Sequence, residues 1–368
     1  MARHVTRGAV LTRPIVGLSA ILAGPALADP LACGDIASLA RPDLRIARAE
    51  AVPAGTLPSD NPGRAALTGA ARAKAALPAH CLVEGTIDPR VGAGGVAYGI
   101  GFQLRLPEAW NGRFLFQGGG GLDGVVGEAL GAIPVSGATA PPALLRGYAV
   151  VSTDSGHRGR DSSDASFGLD QQARVDFAYG AVGAVAREAR ALVTARYGRA
   201  PAHAYFMGCS NGGRSALMAA TRFPTAFDGI VAAALNDPTG TFLSTFTAKG
   251  GRLLVYQGVA DPVFSARDLA AHWQDLARHN GGGAALADWA RLFLVPGMTH
   301  CGGGPALDDF DPLTALEAWV ERGEAPDRIA ARGAAFPGRT RPLCPFPQEA
   351  RYQGGEADRA ESFACRAP

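Results

Sequence analysis

Gly208-Cys209-Ser210-Asn211-Gly212 has the spacing G-x-S-x-G, which marks a sharp strand-to-helix turn that lifts a serine hydroxyl clear of a sheet. Such a hydroxyl becomes a nucleophile when an imidazole takes its proton and a carboxylate orients the imidazole. A serine at this junction can also be a plain helix N-cap. In the elbow arrangement the chain order is serine, acid, histidine. His272, His279 and His300 lie downstream. His272 and His279 fall on one predicted helix and read as surface residues. His300 follows the apolar run Leu292-Phe293-Leu294-Val295 by way of the loop 296–299, where a base belongs. Asp261 follows Leu253-Leu254-Val255-Tyr256 through the loop 257–260. It is preferred as the acid over Asp268, Asp275 and Asp288, which sit further from a strand end.

The cysteine beside the serine needs an explanation. Cys209 precedes Ser210, and Cys301 follows His300. A disulfide brings two Cα atoms to about 5.5–6 Å, and a neighbouring residue adds about 3.8 Å. A Cys209–Cys301 bond would therefore clamp the serine to the histidine. The rival is a Cys209 thiolate with His300 as its base, but only Ser210 holds the elbow position. Acyl transfer also needs donors for the oxyanion. One is the backbone N–H of Asn211, the residue after the nucleophile. The other is expected from the run Gly118–Gly121, at Gly119 or Gly120; the plain alternative for four glycines is a flexible turn.

The elements that must hold these residues are legible as alternating strands and helices. Residues 81–87 and 97–106 alternate in strand fashion, and apolar runs lie at 113–117, 148–153, 204–207, 229–234, 252–257 and 291–295. Residues 171–197 repeat apolar positions at helical spacing, and 215–222, 265–279 and 311–322 read as helix. Strands alternating with helices imply a mostly parallel sheet with helices on both faces. Trp319 fits helix packing. Asp154 and His157, beyond a strand end, are placed to border the site, and the plainer reading, which is preferred, is a hydrogen-bonded pair that stabilises their loop.

Arg3, Arg7 and Arg13 precede an apolar stretch ending in Ala26-Leu27-Ala28. That pattern predicts a secretory leader over 1–28 and a periplasmic or secreted chain from about Asp29. Residues 29 to about 80, rich in Ala and Pro, read as an extension lying across one catalytic domain. Formal charge is +2, 47% of residues are hydrophobic, and the 49 glycines follow no period. No basic stripe points to nucleic acid, and no later segment is apolar for long enough to cross a membrane. The six cysteines, Cys33, Cys81, Cys209, Cys301, Cys344 and Cys365, favour disulfides in an exported chain. They allow fifteen pairings. None sits in a C-x-x-C pattern, so no metal site is expected.

The motifs together resemble the tannase and feruloyl esterase family of α/β-hydrolases. The matching pieces are Trp110-Asn111-Gly112-Arg113 leading into Gly118–Gly121, Thr153-Asp154-Ser155-Gly156-His157, and Gly208-Cys209-Ser210-Asn211-Gly212-Gly213-Arg214. Pro296-Gly297-Met298-Thr299-His300-Cys301 and Arg341-Pro342-Leu343-Cys344-Pro345 complete the set. The resemblance implies an α/β-hydrolase fold, a triad of Ser210, Asp261 and His300, and the bond Cys209–Cys301. It also implies Cys33–Cys81 and Cys344–Cys365 as the remaining pairs. The chain departs from the family between 235 and 251, a stretch too short for the family's lid domain. Neither the lid nor its calcium is carried over, and an open, shallow site is expected. The expectation is an exported serine esterase that needs no cofactor and acts on small esters of hydroxycinnamic or gallic-type acids. The alternatives are a broad hydrolase of short-chain or polyester-derived esters and a non-catalytic hydrolase-like binding protein. Oligomeric state is not legible.

Overall fold

The computed structural model describes residues 1, 29–56, 75–234 and 243–368. The expected leader, apart from Met1, lies outside the described residues, as do 57–74 and 235–242. Nine strands form one sheet in the order β1-β2-β3-β5-β4-β6-β7-β8-β9. They are β1 (Leu44–Val52), β2 (His80–Val91), β3 (Ala97–Pro107), β4 (Arg113–Gln117), β5 (Ala149–Thr153), β6 (His203–Cys209), β7 (Gly229–Ala233), β8 (Arg252–Gly258) and β9 (Ala290–Val295). The pairings from β5 through β9 are parallel, and those joining β1, β2, β3 and β5 are antiparallel.

Side-chain alternation along the parallel strands builds two cores. Phe114, Phe116, Phe206, Ile230, Val255 and Leu292 face one layer, which holds α1 (Ala181–Tyr197), α2 (Asn211–Arg222) and α3 (Ala266–His279). Leu115, Tyr205, Met207, Val231, Tyr256 and Phe293 face the other, which holds α4 (Pro312–Arg322). Both faces of these strands are dry, which explains their unbroken apolar sequences. Local signals fix the helix ends. Asp311 caps α4, accepting from the N–H groups of Leu313 and Thr314 at 3.1 Å, and Pro312 takes the first helical position. Ser265 caps α3. Trp319 is buried on α4, as its helical setting predicts.

Two segments differ from the sequence expectation. The N-terminal stretch is not merely an extension, because Leu44–Val52 joins the sheet as its edge strand, antiparallel to β2. A register shift between Ile46 and Arg48 breaks its alternation, and only Leu44 is fully buried, so the strand leaves a weak pattern. Past α4, the two-stranded sheets β10 (Ile329–Ala331) with β11 (Arg341–Leu343), and β12 (Glu349–Tyr352) with β13 (Phe363–Arg366), finish the chain. Three disulfides tie the described residues: Cys33–Cys81, Cys209–Cys301 and Cys344–Cys365.

Candidate active site

Ser210 stands where β6 ends and α2 begins. Its φ of 60° and ψ of −128° lie outside the regions that L-residues ordinarily occupy, a strain of about 1–3 kcal/mol. The serine N–H still donates to Ala233 O at 3.0 Å, extending the sheet to the turn. The side chain makes no capping hydrogen bond, so the hydroxyl is not spent as an N-cap. Among the described residues Ser210 Oγ forms no hydrogen bond, His300 included; catalytic hydrogen bonds commonly tighten only around substrate. The glycines of the motif answer to crowding. A Cβ on Gly212 would lie 2.6 Å from Gly119 O, and one on Gly208 would lie 2.6 Å from the Gly212 backbone. The elbow and the four-glycine run are thus pressed backbone to backbone.

The loops after β8 and β9 are stitched together. Val259 N–H donates to Val295 O, and Ala260 N–H to Met298 O, both at 3.0 Å. A Cβ on Gly258 would come within 2.3 Å of Met298 O, so only glycine allows this approach. Across the seam, His300 Nδ1 meets Asp261 Oδ2 at 2.9 Å. A carboxylate only accepts, so the bond puts the imidazole proton on Nδ1 and leaves Nε2 as a base. Asp261 Oδ2 also accepts from Gln257 Nε2 at 2.9 Å. Its Oδ1 accepts the N–H groups of Val263 at 2.8 Å and Phe264 at 3.2 Å. The carboxyl is buried, the imidazole 21% exposed, and the Phe264 ring sits edge-on to the imidazole at 5.2 Å. The Cys209–Cys301 bond, with Cα atoms 6.0 Å apart, joins the elbow to the histidine loop. The disulfide leaves no thiolate at Cys209.

Asn211, Gly212 and Gly213 open α2, where N–H groups have no intrahelical partner. Beside them lies a buried polar network. Asp123 Oδ1 accepts from Asn211 Nδ2 at 2.7 Å, and Oδ2 accepts from Ser155 Oγ. Arg214 Nε donates to Asn211 Oδ1 at 2.7 Å. The Arg214 Nη groups donate to Ala178 O at 2.7 Å and Phe177 O at 2.8 Å. Those carbonyls belong to a π-helical turn, Asp176–Gly180, a rare geometry that occurs mostly as single turns. Burial pushes the Asp123 carboxyl up to about 6, against the opposing pull of Ser155, Asn211 and Arg214. Burial likewise raises Asp154 to about 7.

The structure corrects the Asp154–His157 pair. Asp154 Oδ1 accepts the N–H groups of Gly101 and Gly156, both at 2.9 Å. The His157 ring stacks on Phe167 at 3.9 Å, and among the described residues neither of its nitrogens has a hydrogen-bond partner. His279 is exposed as expected, whereas His272 is half-buried against an apolar pocket with Leu217, Met218 and Trp273. Sequence reasoning missed Gln257 and Asp123, which touch the site residues by hydrogen bonds that no motif encodes. Among the described residues no group of three or more His, Cys, Asp or Glu side chains is placed to hold a metal ion. No described helix is long and apolar enough to cross a membrane.

Comparison with known proteins bears on the family and the fold. The family model for tannase and feruloyl esterase matches residues 81–236 and 233–366. A mono(2-hydroxyethyl) terephthalate hydrolase of Piscinibacter sakaiensis is 29% identical, covering 80% of this chain and 86% of the relative. That alignment runs over 526 positions against the 368 residues of this chain, so the relative carries long stretches without counterpart here. An uncharacterized esterase of Xanthomonas campestris is 26% identical, covering 97% of this chain and 94% of the relative. Among solved structures, feruloyl esterase B from Aspergillus oryzae superposes with a TM-score of 0.75 at 19% identity, covering 91% of this chain and 99% of that one.

Proposed function

We propose the following reaction for this chain, which belongs to the tannase and feruloyl esterase family and is a carboxylic ester hydrolase. Ser210 Oγ attacks the ester carbonyl while His300 Nε2 takes its proton. Asp261 holds the imidazole in the correct tautomer and stabilises the imidazolium. The Asn211 N–H and an N–H of Gly119 or Gly120 receive the oxyanion. His300 returns the proton to the departing alcohol, and water then resolves the acyl-enzyme by the same route. The observation that carries this reading is the disulfide between the residues flanking Ser210 and His300, on a histidine already bonded to Asp261.

Esters of aromatic acids are the substrate class this reading favours. The family's description and the terephthalate monoester hydrolase among the relatives support it. So do the exposed side chains of Val125, Val259 and Val263, on the loops that carry Asp123 and Asp261. The reading also holds that this chain has no lid domain. Only residues 234–251 connect β7 to β8, and the family match is broken at 233–236. A lidless cleft favours a second reading, a broad hydrolase of short-chain or polyester-derived esters. The basic and apolar pattern of 1–28, together with three disulfides, supports export to an oxidising compartment.

A fluorophosphonate probe tests the nucleophile. Labelling of the wild type and not of Ser210→Ala is expected, together with loss of p-nitrophenyl ester hydrolysis in Ser210→Ala and in His300→Ala. Absence of labelling in the wild type would point instead to a binding protein, and near wild-type rates in either variant would remove that residue from the mechanism. Comparing methyl ferulate, methyl gallate, a terephthalate monoester and short aliphatic esters separates the two substrate readings.

A further inference from the structure

The two expected oxyanion donors come from segments far apart in sequence, and their spacing must be held to a fraction of an ångström. One buried side chain touches both segments. Asp123 is 4% exposed and adopts φ +49°, a left-handed conformation that costs a non-glycine residue free energy. Its N–H donates to Gly120 O at 3.0 Å, closing the turn of the glycine run. Its carboxyl packs against Gly119 so closely that a Cβ there would lie 2.8 Å from Oδ2. The other oxygen holds Asn211 Nδ2 at 2.7 Å, and Ser155 Oγ completes the carboxyl's partners.

We propose that Asp123 is a positioning residue of the oxyanion hole, fixing the Asn211 peptide relative to the Gly119–Gly120 peptide. It touches no reacting atom and acts through the two backbone segments it joins. The inference rests on the acyl-transfer reading above. A strained backbone at a buried carboxyl is the kind of cost that persists where surrounding structure requires one geometry. The network also gives Asn211 and Arg214 of the elbow motif a physical task. Arg214 fixes the Asn211 side chain from one side and Asp123 fixes it from the other.

The test compares full-length wild type, Asp123→Ala, Asp123→Asn and Ser210→Ala in p-nitrophenyl ester kinetics, with an aryl boronic acid as a tetrahedral mimic. Removing a single oxyanion donor costs about 10²–10³ in kcat. A displaced donor in Asp123→Ala is therefore expected to cost roughly 10–100-fold in kcat, with KM nearly unchanged. Boronic acid affinity should fall by the same factor. Asp123→Asn can still accept from Asn211 through Oδ1 and can donate to a reversed Ser155 hydroxyl, so it should restore most of both. The proposal is overturned by wild-type turnover in Asp123→Ala. It is equally overturned if kcat falls while boronic acid affinity does not, or if the asparagine variant fails as badly as alanine. Should Asp123→Ala not fold, Asn211→Ala removes the same bond from its other end, and unchanged kcat and boronic acid affinity there refute the idea. Fluorophosphonate labelling keeps the two levels apart. Loss of labelling in the wild type sinks the acyl-transfer reading, whereas normal labelling with unperturbed Asp123→Ala kinetics sinks this inference alone.

Discussion

Removing the Cys209–Cys301 bond, by replacing both cysteines with alanine, separates what it does for stability from what it does for catalysis. The cysteines are 92 residues apart, for which the chain-entropy relation gives about 4.6 kcal/mol at 25 °C. With a urea slope of about 3 kcal/mol/M, the unfolding midpoint should drop by roughly 1.5 M. The histidine loop keeps other restraints: Val259 to Val295 and Ala260 to Met298 at 3.0 Å, and Ser136 N–H to Cys301 O at 2.9 Å. The double variant should therefore fold in dilute buffer. What it loses is the covalent reference between the elbow and the base. A misplacement on the order of 1 Å can cost about a hundredfold, so kcat is expected to fall between roughly tenfold and a hundredfold at little change in KM. The assay is steady-state ester hydrolysis below the unfolding transition, with urea titration of the same preparation. A folded double variant with wild-type kcat refutes the clamp, even if its midpoint falls as calculated.

Two further tests address the acid and the buried carboxyl beyond β5. Asp261→Asn keeps the shape but turns an amide toward His300 Nδ1 and favours the wrong tautomer, so kcat should fall on the order of 10³–10⁴. A loss under tenfold would remove Asp261 from the mechanism. Burial raises Asp154 from 3.8 to about 7, so between those values the folded chain keeps a proton that the unfolded chain has released. Stability contributed by this residue therefore falls as pH rises through the window, and the whole cost, about 4 kcal/mol at 1.36 kcal/mol per unit, is reached above pH 7. Asp154→Asn does not titrate. Urea titrations should show its advantage over wild type growing by up to about that amount from pH 4 to pH 8, and a pH-independent difference would contradict the assignment.

The parallel strands were legible because both faces are buried, which leaves runs such as Phe114-Leu115-Phe116 with no polar break. The candidates Ser210 and His300 stand out as motif residues, and the candidate acid Asp261 by its distance past a strand; the structure brings Asp261 and His300 into contact. Edge strand β1 was not legible, because its register shift and the partial or full exposure of every residue after Leu44 erase the alternation. The short strands β10 to β13 span three or four residues each, too few for a period to register. The tasks of Asp123 and Gln257 were hidden for a different reason. Their partners are backbone and side-chain groups brought together by strand order, and a lone aspartate in a glycine-rich loop carries no spacing signal. The expected Asp154–His157 bond failed because proximity in sequence was taken for contact, whereas the tight turn sends the carboxyl to Gly101 and the ring to Phe167.

The six cysteines pair in chain order, first with second, third with fourth and fifth with sixth. No loop encloses or interlaces with another. On the export route proposed above, with the N-terminus leading, the sulfurs would emerge two at a time in matched order, so a simple oxidant could complete the set. Such a molecule has little call for an isomerase to undo crossed bonds.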